Sequence, residues 1–337
     1  MASALVFVTD SEPGISRRSL AHGWAYFDAD GNRITDRDEI DRLNRIALPP
    51  AYRDAWFCPH PHGHLLATGI DARGRKQYRY NPDFRTERDL MKYDMLAAFG
   101  RKLPLIRRRV EGDIAGGGLT RERAVASVVR LLDSGAIRVG NEAYAKANRS
   151  FGATTLRMRH ASVKGKALRL RFRAKSGKMR DLRLTDRNLI RFVRAMQDLP
   201  GQHLFRFIAD DGTPCPVGSS DVNAYLHETM GDGFTAKHFR TWKATLVAFE
   251  TLVDAPGHVS IKELTARVSE ELGNTPAIAR KSYIHPALLE IAADREAQEA
   301  LRTSVRLPRR TKTLSRHERG LIAFLEQTLE GAGKLAA

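Results

Sequence analysis

Two cysteines, Cys58 and Cys215, are all that the 337 residues contain. They lie far apart and in no paired motif, which excludes a disulfide framework and a zinc ribbon and indicates an intracellular chain. Long apolar runs are missing as well. The opening "MASALVFVTD" is too short for the apolar core of a signal peptide, and no run of about 18 apolar residues follows it, so the expectation is a cytoplasmic protein without a membrane span. There is no Walker-type glycine loop, no clustered carboxylates of the kind that hold magnesium, no internal repeat and no low-complexity segment. Acid is in deficit: 39 Asp and Glu stand against 56 Lys and Arg, a net charge of +17 spread from end to end. Such a chain attracts polyanions. Each phosphate it neutralises releases condensed counterions, so nucleic acid is the leading partner, ahead of a membrane surface.

The length favours two domains. From Leu5 to about Tyr80 the texture is strand and turn: "HGWAYFDADGNRI" alternates aromatics around an Asp-Gly turn, and "DAWFCPHPHGHLLATGIDARGRKQYRY" is rich in glycine and aromatics. "NPDFRT" reads as a linker, with a hinge over Asn81 to Arg85. Thr86 then caps a helix carrying the stripe Leu90, Tyr93, Leu96 and Ala97. The expected division is a β-rich domain over 1–85 and a mainly α domain over 86–337. Within the second, Thr120 caps a helix that closes on Gly135. In "ALRLRFRAKSGKMRDLRL" the period switches to two: Leu168, Leu170 and Phe172 take one face, Arg169, Arg171 and Arg173 the other, with a turn at Ser176-Gly177. Thr235 caps a helix whose Phe239, Trp242, Leu246 and Phe249 face the core, leaving Arg240 off the stripe. Ser260 and Glu263 form a capping box, Gly273 ends that helix, and Thr275-Pro276 starts a short one leading to Tyr283. The fold class is α+β.

Tyr283 is the residue the apolar pattern does not need, since Ile284, Leu288 and Ile291 supply the stripe beside it. A tyrosine near a helix end is ordinarily a core residue with a wet edge. A phenol can also split a phosphoryl transfer into two steps through a covalent intermediate. It then needs cations around the phosphate and an acid for the leaving oxygen. Arg138, Lys175 and Arg240 are residues of the right type.

Four stretches, "GRKQYRY" at 74–80, "AIRVGNEAY" at 136–144, "FRAKSGKMR" at 172–180 and "HFRTWKAT" at 238–245 followed by "GNTPAIARKSY" at 273–283, occur in one order and spacing. In these the chain resembles, over nearly its whole length, the type IB DNA topoisomerases of the poxvirus and bacterial kind. The resemblance implies that Tyr283 attacks a backbone phosphodiester, giving a 3′-phosphotyrosyl enzyme and a free 5′-hydroxyl. It implies that Arg138 and Arg240 hold the non-bridging oxygens, as permanently charged planar guanidiniums can. Lys175 would protonate the leaving oxygen, with Lys178 as the alternative acid. Asn274 stands nine residues before Tyr283, where poxvirus members carry His. An amide donates to a phosphate oxygen without a charge, so its expected contribution is the weaker, and Asn274→His is expected to preserve or increase cleavage. Lys76, Gln77, Tyr78 and Tyr80 match positions that face DNA in the family, as does Tyr144. Asn141 and Ala143 replace lysines carried by members of known site preference, so no cleavage sequence transfers.

The implied enzyme is a monomer closing as a clamp on duplex DNA in the cytoplasm, associated with the nucleoid. It would relax supercoils without ATP, metal or other cofactor. A tyrosine recombinase and a non-catalytic DNA-binding protein are the alternatives. Two features stand outside this reading. Cys58, His60, His62 and His64 alternate as a metal site might, but same-face strand neighbours interrupted by Pro59 and Pro61 do not wrap a tetrahedron. The basic stretch "RLPRRTKTLSRHERG" at 306–320 suits either a nucleic-acid patch or a solvated helix.

Overall fold

The computed structural model describes residues 5–197 and 199–336, with side chains of 85–91 and 330–336 outside that description. The chain divides into two compact units, Met1–Lys92 and Tyr93–Ala337.

In the first unit, β1 (Ser16–Ser19) and β2 (Trp24–Phe27) form an antiparallel pair, and α1 (Arg37–Arg45) follows, capped by the Asp36 carboxylate. Next, β3 (Arg53–Phe57), β4 (Leu65–Ile70) and β5 (Lys76–Tyr80) form an antiparallel sheet in that order. Its core is Ile15, Tyr26, Leu43, Leu48, Phe57 and Ala67. Cys58 is buried just past β3, while His60 and His62 sit in the exposed turn that follows. The His64 ring packs against Phe7 and Phe84. The alternation of these four residues therefore does not put them on a strand face. Among the described residues no group of His, Cys, Asp or Glu is placed to hold a metal ion.

The segment expected as a linker is instead helical. Helix α2 (Pro82–Ala115) starts on Pro82, with the Asn81 side chain accepting from the Asp83 N–H at 3.0 Å. Proline at the first helical position supplies a helical φ where its missing N–H costs nothing. The cap expected at Thr86 and the stripe position Leu90 fall among side chains outside the description.

The second unit continues with α3 (Arg121–Gly135), capped by Thr120, and the short α4 (Glu142–Asn148), capped by Asn141. The basic hairpin is part of a three-stranded antiparallel sheet, β6 (Ala161–Lys164), β7 (Ala167–Arg173) and β8 (Met179–Leu184). Leu168, Leu170 and Phe172 are buried on its inner face. Then come α5 (Arg187–Gln197), the small pair β9 (Arg206–Ile208) and β10 (Pro214–Pro216), α6 (Ser219–Met230) and α7 (Ala236–Asp254). The chain ends through α8 (Ile261–Leu272), α9 (Pro276–Ser282), α10 (Pro286–Ala293), α11 (Arg295–Ser304) and α12 (Arg316–Ala336). Helices packed with two small sheets in this unit, and strands with α1 and the start of α2 in the first, make the chain α+β.

The stretch at 306–320 is built into this unit. Glu318, at the start of α12, is 5% exposed and accepts from Arg107 of α2 at 2.7 Å, while Arg107 also pairs with Asp133 of α3. Among the described residues no helix is long and apolar enough to cross a membrane.

Candidate active site

The ends of α3 and α8 build the site. The carbonyls of a helix's last turn have no partner within the helix and carry negative partial charge, so they suit cations. Arg240, one turn into α7, donates to the carbonyl of Ala136, just past α3, and to that of Leu272, the last residue of α8, at 3.2 Å. Off the apolar stripe of α7 it is nonetheless 3% exposed. Among the described residues no carboxylate pairs with it. Gly135 is the last helical residue of α3, and the left-handed position expected of it falls on Ala136, φ 47°. That turn presents the Ala136 carbonyl to Arg240.

Asn274, 6% exposed, follows the left-handed Gly273 that ends α8. Its Oδ1 accepts from Arg138 Nη2 and from Arg240 Nη2, each at 3.0 Å. An amide oxygen offers two lone pairs, and two cationic donors fix which way the amide lies. Its Nδ2 is left buried without a hydrogen-bond partner.

Tyr283 caps the end of α9, its N–H bonded to the Ala279 carbonyl at 3.1 Å and its own carbonyl accepting from Thr245 Oγ1 at 3.2 Å. Burial alone would raise the pKa of its phenol, but the charges of Arg240 and Arg138 outweigh burial and hold it below the ordinary value. Burial, and then the charge of Arg138, bring the pKa of Arg240 down to about 10.

Lys175 stands on the turn joining β7 and β8, where Ser176 and Gly177 take φ of 62° and 76°. It is exposed, and makes no hydrogen bond or ion pair with a described residue. Lys178, by contrast, donates its ammonium to the Asn274 carbonyl. Arg138, Lys175, Lys178, Asn274, Ser282 and Tyr283 line one cleft of about 310 Å³. Arg240 lines an adjoining one with Arg138 and Lys175. The five side chains singled out in the sequence are thus brought together, in a cationic cleft with a phenol in its wall.

The residues matched to DNA contacts lie elsewhere. Alternation along β5 separates Lys76, Tyr78 and Tyr80 from Gln77. Tyr78 and Tyr80 stack with centroids 6.0 Å apart, and Tyr78 is 47% exposed. Lys76 pairs with Asp10 at 2.5 Å, and the Gln77 amide is held by Asp71 at 2.9 Å. Tyr144 is half-buried on α4.

Arg180 is the residue that sequence reading missed. It pairs with Phe172 and so shares the inward face of β8 with Leu182 and Leu184. An arginine at an inward position of an alternating strand was the available signal.

A cationic cleft with a tyrosine in its wall defines a class of site, and comparison gives the family. The model of the eukaryotic DNA topoisomerase I catalytic core matches residues 81–298, and that of the bacterial DNA topoisomerase IB N-terminal domain matches residues 23–71. The chain belongs to the type IB DNA topoisomerase family. It is 28% identical over 292 residues to DNA topoisomerase 1B of Acanthamoeba polyphaga mimivirus, a match covering 82% of this chain and 87% of that protein. It is 27% identical over 201 residues to DNA topoisomerase 1 of Mycosarcoma maydis, covering 53% of this chain and 19% of that longer protein. Among solved structures, XerH site-specific recombinase in a post-cleavage complex with palindromic difH substrate matches at TM-score 0.38 and 14% identity. That match covers 59% of this chain and 50% of the recombinase.

Proposed function

We propose that this protein relaxes supercoiled duplex DNA by two sequential transesterifications at Tyr283. The phenolate oxygen attacks a backbone phosphorus. The bond from phosphorus to the 5′-oxygen breaks, Lys175 supplies the proton that the leaving oxygen needs, and the strand is held as a 3′-phosphotyrosine until the 5′-hydroxyl returns. Arg138 and Arg240 bind the non-bridging oxygens, and the spare Nδ2 of Asn274 donates to one of them. Lys178, bonded to the main-chain carbonyl of Asn274, holds the backbone that carries this side chain. Guanidiniums supply the charge that a metal ion supplies in other phosphoryl transfers, so neither a divalent cation nor ATP is needed. All five side chains come from one chain, as a monomeric enzyme requires. The faces carrying Lys76, Tyr78, Tyr80 and Gln77, and Tyr144 on α4, are assigned to the duplex. A basic enzyme acting on DNA belongs with the cytoplasmic nucleoid.

The observation that carries this reading is the shared acceptor: Asn274 Oδ1 fixes two guanidiniums beside a phenol whose pKa they lower. The test is relaxation of supercoiled plasmid in EDTA without ATP. Wild-type protein is expected to relax it, and Tyr283→Phe to bind DNA as well yet neither relax it nor form a covalent adduct. An adduct in Tyr283→Phe would sink the assignment of the nucleophile.

A further inference from the structure

Arg180 occupies a position that strand alternation reserves for an apolar side chain, between the inward Phe172 of β7 and Leu182 of its own strand. No salt bridge joins it to a described carboxylate. Its Nη2 donates to the carbonyl of Gly135, the last residue of α3, at 3.3 Å, and its Nη1 to that of Glu270, in the last turn of α8, at 3.5 Å. Its stem lies so close to Gly273 that a Cβ there would meet Arg180 Cδ at 2.8 Å. Burial, with the charge of Arg138 opposing that of Glu271, leaves its pKa below the ordinary arginine value.

The same two helix ends are bridged by Arg240, through Ala136 and Leu272. Two guanidiniums therefore clasp one pair of helix C-termini. Arg138 follows the end of α3 through Ala136 and Ile137, and Asn274 follows the end of α8 through Gly273. The spacing of the two ends sets whether Asn274 Oδ1 reaches Arg138 and Arg240 together.

We propose that Arg180 is a positioning residue for the transesterification, holding the ends of α3 and α8 at the spacing that lets Asn274 orient both phosphate-binding arginines. It acts through those residues, from the wall of the cleft that Arg138, Lys175 and Arg240 also line. Its partial burial costs folding stability, because a cation taken from water is offset here by carbonyl dipoles and the charge of Glu271, without an ion pair. Replacing such a group by an apolar one of similar length is commonly neutral or stabilising.

This inference rests on the proposed chemistry, and the experiment separates the two. Arg180→Met, Arg180→Lys and Tyr283→Phe are compared with wild type for thermal midpoint, duplex DNA affinity and single-turnover rate of adduct formation. Arg180→Met is expected to keep the wild-type midpoint or exceed it, to bind DNA equally, and to cleave slower by on the order of 100-fold, the scale of loss from an ångström of misplacement. Arg180→Lys, which keeps the charge but not the fork that spans two carbonyls, should recover part of that rate. Wild-type cleavage by Arg180→Met, or a fall in midpoint and DNA affinity parallel to the fall in rate, overturns the positioning role. An adduct in Tyr283→Phe overturns the underlying chemistry instead.

Discussion

The guanidinium carbon of Arg240 lies 5.0 Å from the ring centroid of Tyr283. The contact places a cation that cannot move away beside the phenol, because two helix-end carbonyls and an amide oxygen already hold the guanidinium. Its effect on the phenol is electrostatic, and it is shared with Arg138.

That sharing sets a pH dependence. The proposed attack needs the phenolate, so the cleavage rate should climb with pH towards a tyrosine pKa that sits below the ordinary value of 10.0. Arg138→Gln removes one of the two cations. The phenol pKa then rises, and the climb in single-turnover rate should move to higher pH, in addition to an overall loss. A profile displaced towards lower pH would contradict the coupling.

Asn274→His tests the pocket's design. The sequence alone favours histidine there as the stronger phosphate donor. The structure reverses this expectation, because a charged imidazole has no lone pair for Arg138 and Arg240 and a neutral one has a single acceptor nitrogen for the two donors. Cleavage by Asn274→His should fall by at least about tenfold, the loss of one charge-assisted hydrogen bond of about 1.5 kcal/mol. Unchanged or faster cleavage would show that the two arginines hold their places without the amide.

Lys175 and Lys178 are separable by the leaving group. If Lys175 is the acid, Lys175→Ala should lose about 10²-fold or more in cleavage of an ordinary phosphodiester. The loss should largely vanish when the 5′-bridging oxygen is replaced by sulfur, which departs without a proton. Lys178→Ala should show no such rescue, since its bond to the Asn274 carbonyl makes its loss one of geometry.

Away from the site, Glu318→Gln should destabilise the fold by about 2 kcal/mol at neutral pH, the cost of weakening a buried hydrogen-bonded charge. Burial would raise the pKa of Glu318, but Arg107 outweighs burial and lowers it below the ordinary value of 4.5. The stabilisation is therefore complete above pH 4.5 and is lost as pH falls through the lower folded value. Thermal melts of the two proteins should accordingly converge in acid. A constant difference across that range would mean the ion pair contributes nothing.

Local signals carried much of the fold into the sequence. The Ser260–Glu263 capping box, Thr275-Pro276 and the alternation of Leu168, Leu170 and Phe172 each encode their conformation within a few residues, and each is found as read. The start of α2 was hidden because "NPDFRT" reads equally as turn chemistry and as a capped helix start, and the choice lies in the packing. The site divides in the same way. Residue types and their order mark Arg138, Lys175, Arg240, Asn274 and Tyr283, but the bridging role of the Asn274 oxygen depends on two donors that are 136 and 34 positions away. Arg180 was legible only as a break in alternation, whose meaning needs the helix ends beside it.

The clasped helix ends have a consequence for handling the protein. Carbonyl dipoles offset a guanidinium without cancelling its unit charge, so the cleft should act as an anion exchanger in miniature. Sulfate or inorganic phosphate in a buffer should settle between Arg138 and Arg240, raising the thermal midpoint while competing with DNA. Chloride of equal ionic strength, lacking tetrahedral oxygens for the two forks, should do neither to the same degree.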